Sequence, residues 1–236
     1  PVEIQALWHR MLTLLDRVES GSDWAALAVR VARSLAGRFR RADDAPGGSV
    51  FLSDCLHASP GTPAADAVAD DHLRPNQLLA LTLGAVRDPD LAADVIRACE
   101  CLLVPGAVRS LADRPVTYAL PVAWNGRVLN DPTRPYRGCY GGDEDTSRKP
   151  AYHNGTAWTW LFPSYCEALY GRYGAAALPA ARAQLGSVRA TIESGCLGQV
   201  PERRDGSRPH REKGCGAQAW GVTEAYRVLA LLTRTS

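Results

Sequence analysis

No uninterrupted apolar stretch in this 236-residue chain approaches the roughly 20 residues that a membrane-spanning helix needs. The N-terminus also lacks the charged start, apolar stretch and cleavage site of a secretory leader. A soluble protein with no membrane partner is the expectation. Charge of one sign is missing too. With 27 basic and 25 acidic residues the formal net charge is +2, too weak a field to favour nucleic acid, so the expected partner is uncharged. The seven cysteines (Cys55, Cys99, Cys101, Cys139, Cys166, Cys196 and Cys215) form no C-x-x-C pair and no regular framework, which favours reduced thiols and a cytoplasmic location. Cys55 with His57, or Cys215 with His210, could ligate zinc. A structural site wants four ligands in paired short spacings, however, and no metal is expected.

Short-period repeats are absent and strand signal is sparse; what the chain does have is helical periodicity. With 46% apolar residues it can bury a sizeable core. Ile4, Leu7, Trp8, Met11, Leu12, Leu15 and Val18 recur at helical spacing. Trp24, Leu27, Ala28, Val31 and Leu35 repeat the pattern after a break at Ser20-Gly-Ser-Asp23, which predicts an antiparallel helix pair. Arg30, Arg33, Arg38, Arg40 and Arg41 read as a solvated helix end that complements the macrodipole. Pro75 opens a helix expected over 78–86. Asp88-Pro89-Asp90 is a restart signal, with an N-cap side chain, proline at the first helical position and early negative charge. Leu91, Val95, Ile96, Cys99, Leu102 and Leu103 form the next stripe, ended by Pro105-Gly106. The turn-rich stretch 104–150 is long enough to suggest function. Helices are expected again over about 154–173, 178–193 and 214–232. About seven helical segments in succession predict an all-α helical array or toroid with its site on long loops at one end. An ordinary helical bundle shares that periodicity.

Two loop-bearing segments hold the chemistry, Lys149-Pro-Ala-Tyr-His-Asn-Gly-Thr-Ala-Trp-Thr-Trp160, and 200–220 with Val200-Pro-Glu-Arg-Arg-Asp-Gly206 and Gly214-Cys-Gly-Ala-Gln-Ala-Trp220. Tyr152, His153, Asn154, Trp158, Trp160, Gln218 and Trp220 offer what a sugar needs, flat apolar faces for its C–H surface and donors and acceptors for its hydroxyls. Glycoside hydrolysis takes two carboxyl groups, one protonated and one ionised. Glu202 is the candidate for the ionised one. Pro201 stiffens the backbone before it, Asp205-Gly206 permits a turn after it, and neighbouring arginines favour the charged form. The alternative is an exposed loop glutamate. The tryptophans read equally as core, His153 as a donor that locks a loop, and Asn154 as a helix cap. Asp143, Glu144 and Asp145 read as a solvated turn, since the spaced ligands of a calcium loop are missing.

At these residues the chain resembles the amylo-α-1,6-glucosidase domain of glycogen debranching enzymes. The matching segments run in order: Pro1-Val-Glu-Ile-Gln-Ala-Leu-Trp8, Arg74-Pro-Asn-Gln77, Val108-Arg-Ser-Leu111, Tyr136-Arg-Gly138, Gly142-Asp-Glu-Asp145, Tyr152-His-Asn-Gly-Thr-Ala-Trp158, Pro201-Glu202 with Asp205-Gly206, and Gly214-Cys215 through Gln218-Ala-Trp220. The resemblance implies an (α/α)6 toroid and hydrolysis of α-1,6-glucosidic branch linkages in glycogen or a related α-glucan, with inversion at the anomeric carbon and no cofactor. It makes Glu202 the general base and implies that Glu3, Arg74, Asn76, Gln77, Arg109, His153 and Trp158 line or brace the sugar funnel. The family's general acid lies in a Trp-Met-Asp motif ahead of the Pro-Val-Glu-Ile segment. Residues 1–236 are therefore expected to be the C-terminal part of a single catalytic domain, a partial toroid that is inactive alone. The stretch 116–134 resembles a loop elaboration found in some bacterial members. A non-catalytic glycan-binding module, or another carbohydrate enzyme of the helical-toroid class, is the alternative.

Overall fold

The computed structural model describes residues 1–19, 21–42 and 48–234, so the break residue Ser20 lies outside the described residues. The chain divides into two compact units, Pro1–Ala98 and Cys99–Ser236.

In the first unit, helices α1 (Val2–Val18) and α2 (Trp24–Arg38) pack against each other, as the periodicity predicts. The face that α1 buries is not the one with the largest side chains. Val2, Ala6, His9 and Leu12 go inward, while Ile4, Leu7, Trp8, Met11 and Val18 stay exposed. The small residues let the helices approach closely. Strands β1 (Arg40–Ala42) and β2 (Val50–Leu52) pair antiparallel, as do β3 (Leu56–His57) and β4 (Val68–Ala69). A 3-10 turn at Pro75–Gln77 leads into α3 (Leu78–Thr82), which stops short of the predicted residue 86 because Gly84 turns the chain at φ 78°. Helix α4 (Pro89–Cys99) starts where the sequence says it should, with the Asp88 carboxylate accepting a hydrogen bond from the Leu91 amide at 2.8 Å. Val2, Leu35, Phe39, Leu52, Val86, Leu91 and Val95 join in the core.

The second unit holds strands β5 (Leu103–Val104), β6 (Ala107–Arg109), β7 (Ala123–Trp124), β8 (Arg127–Val128), β9 (Ala157–Trp158), β10 (Arg203–Arg204) and β11 (Glu212–Lys213). Its helices are α5 (Lys149–Tyr152), α6 (Phe162–Tyr173), α7 (Leu178–Ile192) and α8 (Ala219–Thr233). The last three pack on one another. Five strands form one antiparallel sheet in the order β11-β10-β9-β6-β5, with Trp158 opposite both Arg203 and Val108. The elaborated loop carries a hairpin, β7–β8, turned at Asn125 (φ 47°) and Gly126 (φ 75°).

The all-α expectation thus holds for the helical majority of regular structure and needs small sheets added to it. Strands of two or three residues are too short to alternate visibly in sequence. Two helix starts also move. The one expected near 154 begins at Phe162, because Ala157 and Trp158 join the sheet. The one expected at 214 begins at Ala219, because Gln218 is extended at φ −112°, ψ 124°. No helix among the described residues is long and apolar enough to cross a membrane.

Candidate active site

Glu202 stands just ahead of β10, its backbone fixed on both sides. Its amide donates to the Cys215 carbonyl at 2.8 Å, and its carbonyl accepts from the Thr159 amide at 3.4 Å. The Thr159 hydroxyl lies within reach of both the Pro201 and Glu202 carbonyls, at 2.7 and 3.1 Å. The residue is buried, with 8% of its surface accessible, unlike an exposed loop glutamate. Oε1 accepts from the Tyr152 phenol at 3.1 Å and from Arg203 Nη1 at 2.9 Å, while Oε2 accepts from the Cys215 amide at 3.1 Å. Gly214, at φ 74°, lies against this carboxylate, and a Cβ there would sit 2.1 Å from Oε2.

Around the carboxylate the rings form a continuous set. Trp158 is buried against Tyr152, edge to face at 4.9 Å, and donates its indole N–H to the Tyr152 carbonyl at 3.2 Å. His153 stacks on Trp158 at 5.7 Å and is itself exposed. Trp220 meets Trp158 edge-on at 6.0 Å and stacks on Trp160 at 5.2 Å, tilted by 18°, with 42% of its own surface open. Burial raises the Tyr152 phenol above its ordinary range; Glu202 adds to that and Arg203 opposes it. At neutral pH this phenol is therefore a donor toward Oε1.

Three loops cross behind these groups with almost no space between them. A Cβ on Gly206 would fall 1.9 Å from the Gly155 carbonyl oxygen, one on Gly155 would lie 2.5 Å from the Arg137 backbone, and one on Gly138 would lie 2.1 Å from Ser207 Oγ. Arg109 ties the crossing together, donating to the Gly206 carbonyl at 2.8 Å and the Cys101 carbonyl at 3.1 Å. Buried Asn154 donates to the Pro150 carbonyl at 2.9 Å, closing its own turn instead of capping the helix that follows. Half-buried Gln218 donates its backbone N–H to the Val200 carbonyl at 3.3 Å. Asp143 caps the turn after it through Asp145 and Thr146, in keeping with a solvated turn.

The remaining sequence candidates belong to the first unit and gather near Asp54. Arg74 Nε lies 3.2 Å from Asp54 Oδ2, and the Asn76 amide 3.4 Å from Oδ1. Gln77 is buried and braces the backbone, accepting from the Leu52 amide at 2.9 Å and donating to the Arg74 carbonyl at 2.8 Å. Glu3 Oε2 is buried without a hydrogen-bond partner among the described residues. Burial raises the Asp54 carboxyl; Arg74 opposes this, and the charges of Asp70 and Glu3 reinforce it.

Asp70 is the centre of a second group. Its Oδ1 accepts from the Ser53 hydroxyl at 2.8 Å and the Asp54 amide at 2.9 Å; its Oδ2 accepts from the Cys55 amide at 3.1 Å and faces His57 Nε2 at 2.9 Å. Burial alone would raise Asp70, but the hydrogen bonds from His72 and His57 hold it well below the usual carboxylate range. Ligand atoms of Asp54, Cys55 and Asp70 lie within 4.8 Å of one another, close enough for a cation. The donor set does not suit one, since Asp70 already faces hydrogen-bond donors on both oxygens and burial pushes the Cys55 thiol up to about 11. The other suggested pair is engaged elsewhere, Cys215 Sγ with the Ala217 carbonyl and His210 Nδ1 with the Asp205 carbonyl.

Sequence reasoning passed over Tyr140, Asp54 and Asp70, and grouped Arg203 with its neighbours. Tyr140 is set by its amide donating to Asp205 Oδ1 at 2.7 Å, a pairing across 65 residues that no local pattern discloses. The sequence model of a family described as amylo-alpha-1,6-glucosidase matches residues 1–227. A search of curated proteins finds no match.

Proposed function

The chain belongs to the amylo-alpha-1,6-glucosidase family, and from that membership we propose that it serves the hydrolysis of α-1,6-glucosidic branch linkages in glycogen or a related α-glucan, with Glu202 as the general base. The observation that carries this reading is a buried, backbone-fixed carboxylate beside a set of rings that runs from covered Trp158 to open Trp220. In an inverting reaction the carboxylate takes a proton from water as the water oxygen bonds to the anomeric carbon. The bond to the departing O6 breaks, and a second carboxyl group gives that oxygen a proton. No Trp-Met-Asp tripeptide occurs in the sequence 1–236, so the acid is assigned outside it and assays belong to the intact protein. Trp220 and Trp160 form a flat platform for glucose C–H surfaces, and His153 supplies a hydroxyl partner. We place the helices in part of an (α/α)6 toroid. The seven free cysteines suit the reducing cytoplasm.

Replacing Glu202 with Gln in the intact protein is expected to lower turnover of a glucosyl-branched dextrin by roughly 10²- to 10⁴-fold while dextrin affinity survives. Turnover near the parental value would reject the base. Parental protein that binds dextrin but shows no hydrolysis would favour a glycan-binding module instead.

A further inference from the structure

We infer that the two oxygens of Glu202 have separate tasks, Oε1 being held and Oε2 receiving the proton, and that Arg203 is the positioning residue that enforces this division. The inference rests on the base reading of Glu202.

A carboxylate offers about four lone-pair positions, two on each oxygen. Arg203 Nη1 and the Tyr152 phenol occupy both positions on Oε1, and the Cys215 amide occupies one on Oε2. The position left is on Oε2, among the described residues. Oε2 is also the oxygen that lies against Gly214, where the missing side chain lets the main chain close directly on the carboxylate and fix its rotation. Oε1 faces a cation and a phenol that fill both its positions, so Oε2 is the oxygen with a lone pair left to take a proton from water.

Arg203 is placed by the sheet rather than by its own flexible stem. As the first residue of β10 it sits opposite Trp158 on one side and Lys213 on the other. Cross-strand neighbours aim its side chain over Trp158, whose centroid is 5.6 Å from the guanidinium carbon. Tyr140 and Tyr152 lie 4.0 and 4.3 Å from that same carbon and form a corner around it. The planar cation is thereby fixed with Nη1 directed at Oε1.

The ring contacts stabilise the guanidinium, yet burying it also carries a cost. Only 6% of its surface is accessible, and its Nε is buried with no hydrogen-bond partner among the described residues. A buried donor left unpaired is costly, and a packed apolar side chain often serves a core better than a buried ion pair. The guanidinium is explained by what it does to the carboxylate.

The test compares Arg203→Ala, Tyr152→Phe and Glu202→Gln in the intact protein on a branched dextrin, with thermal midpoints recorded for each. Arg203→Ala is expected to lower kcat by about 10- to 100-fold, the range that misplacing a reacting group produces, with KM changing by less than about 3-fold. Low-millimolar guanidinium should restore part of that kcat, a response that loss of packing would not give. Tyr152→Phe keeps the ring corner and removes only the second Oε1 donor, so a smaller fall in kcat alone is expected. Parental kcat in Arg203→Ala, or a fall that guanidinium leaves untouched, overturns the inference. If Arg203→Ala fails to fold, Tyr152→Phe decides, and parental kcat in that variant overturns it. Should Glu202→Gln retain turnover, the base reading fails. Should it abolish turnover while the other two variants behave as the parent, only the positioning role fails.

Discussion

At Gly214 the close approach of the main chain to Glu202 depends on one missing methyl group. Alanine there would put its Cβ 2.1 Å from Oε2 and 3.2 Å from the Arg203 guanidinium carbon, at a φ of 74° that L side chains rarely adopt. Gly214→Ala is therefore expected to cost more than about 1 kcal/mol of stability. By moving the carboxylate it should also lower kcat by about 100-fold. Parallel dextrin kinetics and thermal unfolding check this, and an alanine variant with parental kcat would show that Oε2 is not the reacting oxygen. Pro201 before Glu202 and Asp205-Gly206 after it suit an exposed loop glutamate as well as a fixed one, so its burial was not legible locally and the family resemblance singled it out. Its partners were no clearer. The sequence places two arginines beside it without saying which one turns inward. Sheet register decides, giving Arg203 to Glu202 and Arg204 to Glu212 at 3.1 Å. Asn154 and Gln77 show what residue type leaves open, because the same polar side chains that suit a ligand also hold backbone carbonyls, of Pro150 and Arg74.

Among the elements, α4 is the one whose start the sequence specifies most fully. Asp88→Ala removes the acceptor for the Leu91 amide while leaving the proline and Asp90 in place, so a loss of about 1 kcal/mol is expected in thermal or urea unfolding. Asp88→Asn, which keeps a capping oxygen, should recover most of it. Helices α1, α2, α4 and α7 were readable because each carries several turns of one pattern. Periodicity could not tell which face of α1 turns inward, since both faces carry apolar residues and close packing selected the small ones. The strands defeated local reading altogether. Each contributes two or three residues, and their pairings join positions as distant as Val108, Trp158 and Arg203.

For the molecule as a whole, the acid-sensitive part is the Asp70 group. A carboxylate depressed on folding contributes stability that is complete above its unfolded pKa of about 3.9 and is lost as the pH falls below that toward the folded value. Asp70→Asn, which strips the charge from a site facing His57, His72 and Ser53, is expected to cost on the order of 3 kcal/mol at about pH 5. The gap from the parent should narrow at about pH 3, where the carboxylate of the unfolded parent takes up its proton while the folded one stays charged. Thermal unfolding at both pH values reads the difference, and a constant gap would show that the charge contributes nothing. The match of the family across 1–227 agrees with a reading drawn from motifs spread along the chain, although strands and the Asp70 group were invisible in it. The triple crossing at Gly138, Gly155 and Gly206 bears on how this part of the molecule can evolve. At two of the three, Gly206 and Gly155, the nearest atoms are main-chain atoms of Gly155 and Arg137, and no shortened neighbour elsewhere can relieve a collision with a peptide group. Drift at Gly155 and Gly206 therefore has no compensating path through side chains, and descendants of this sequence can diversify the rim around Trp220 far more freely than the plain glycine junction beneath it.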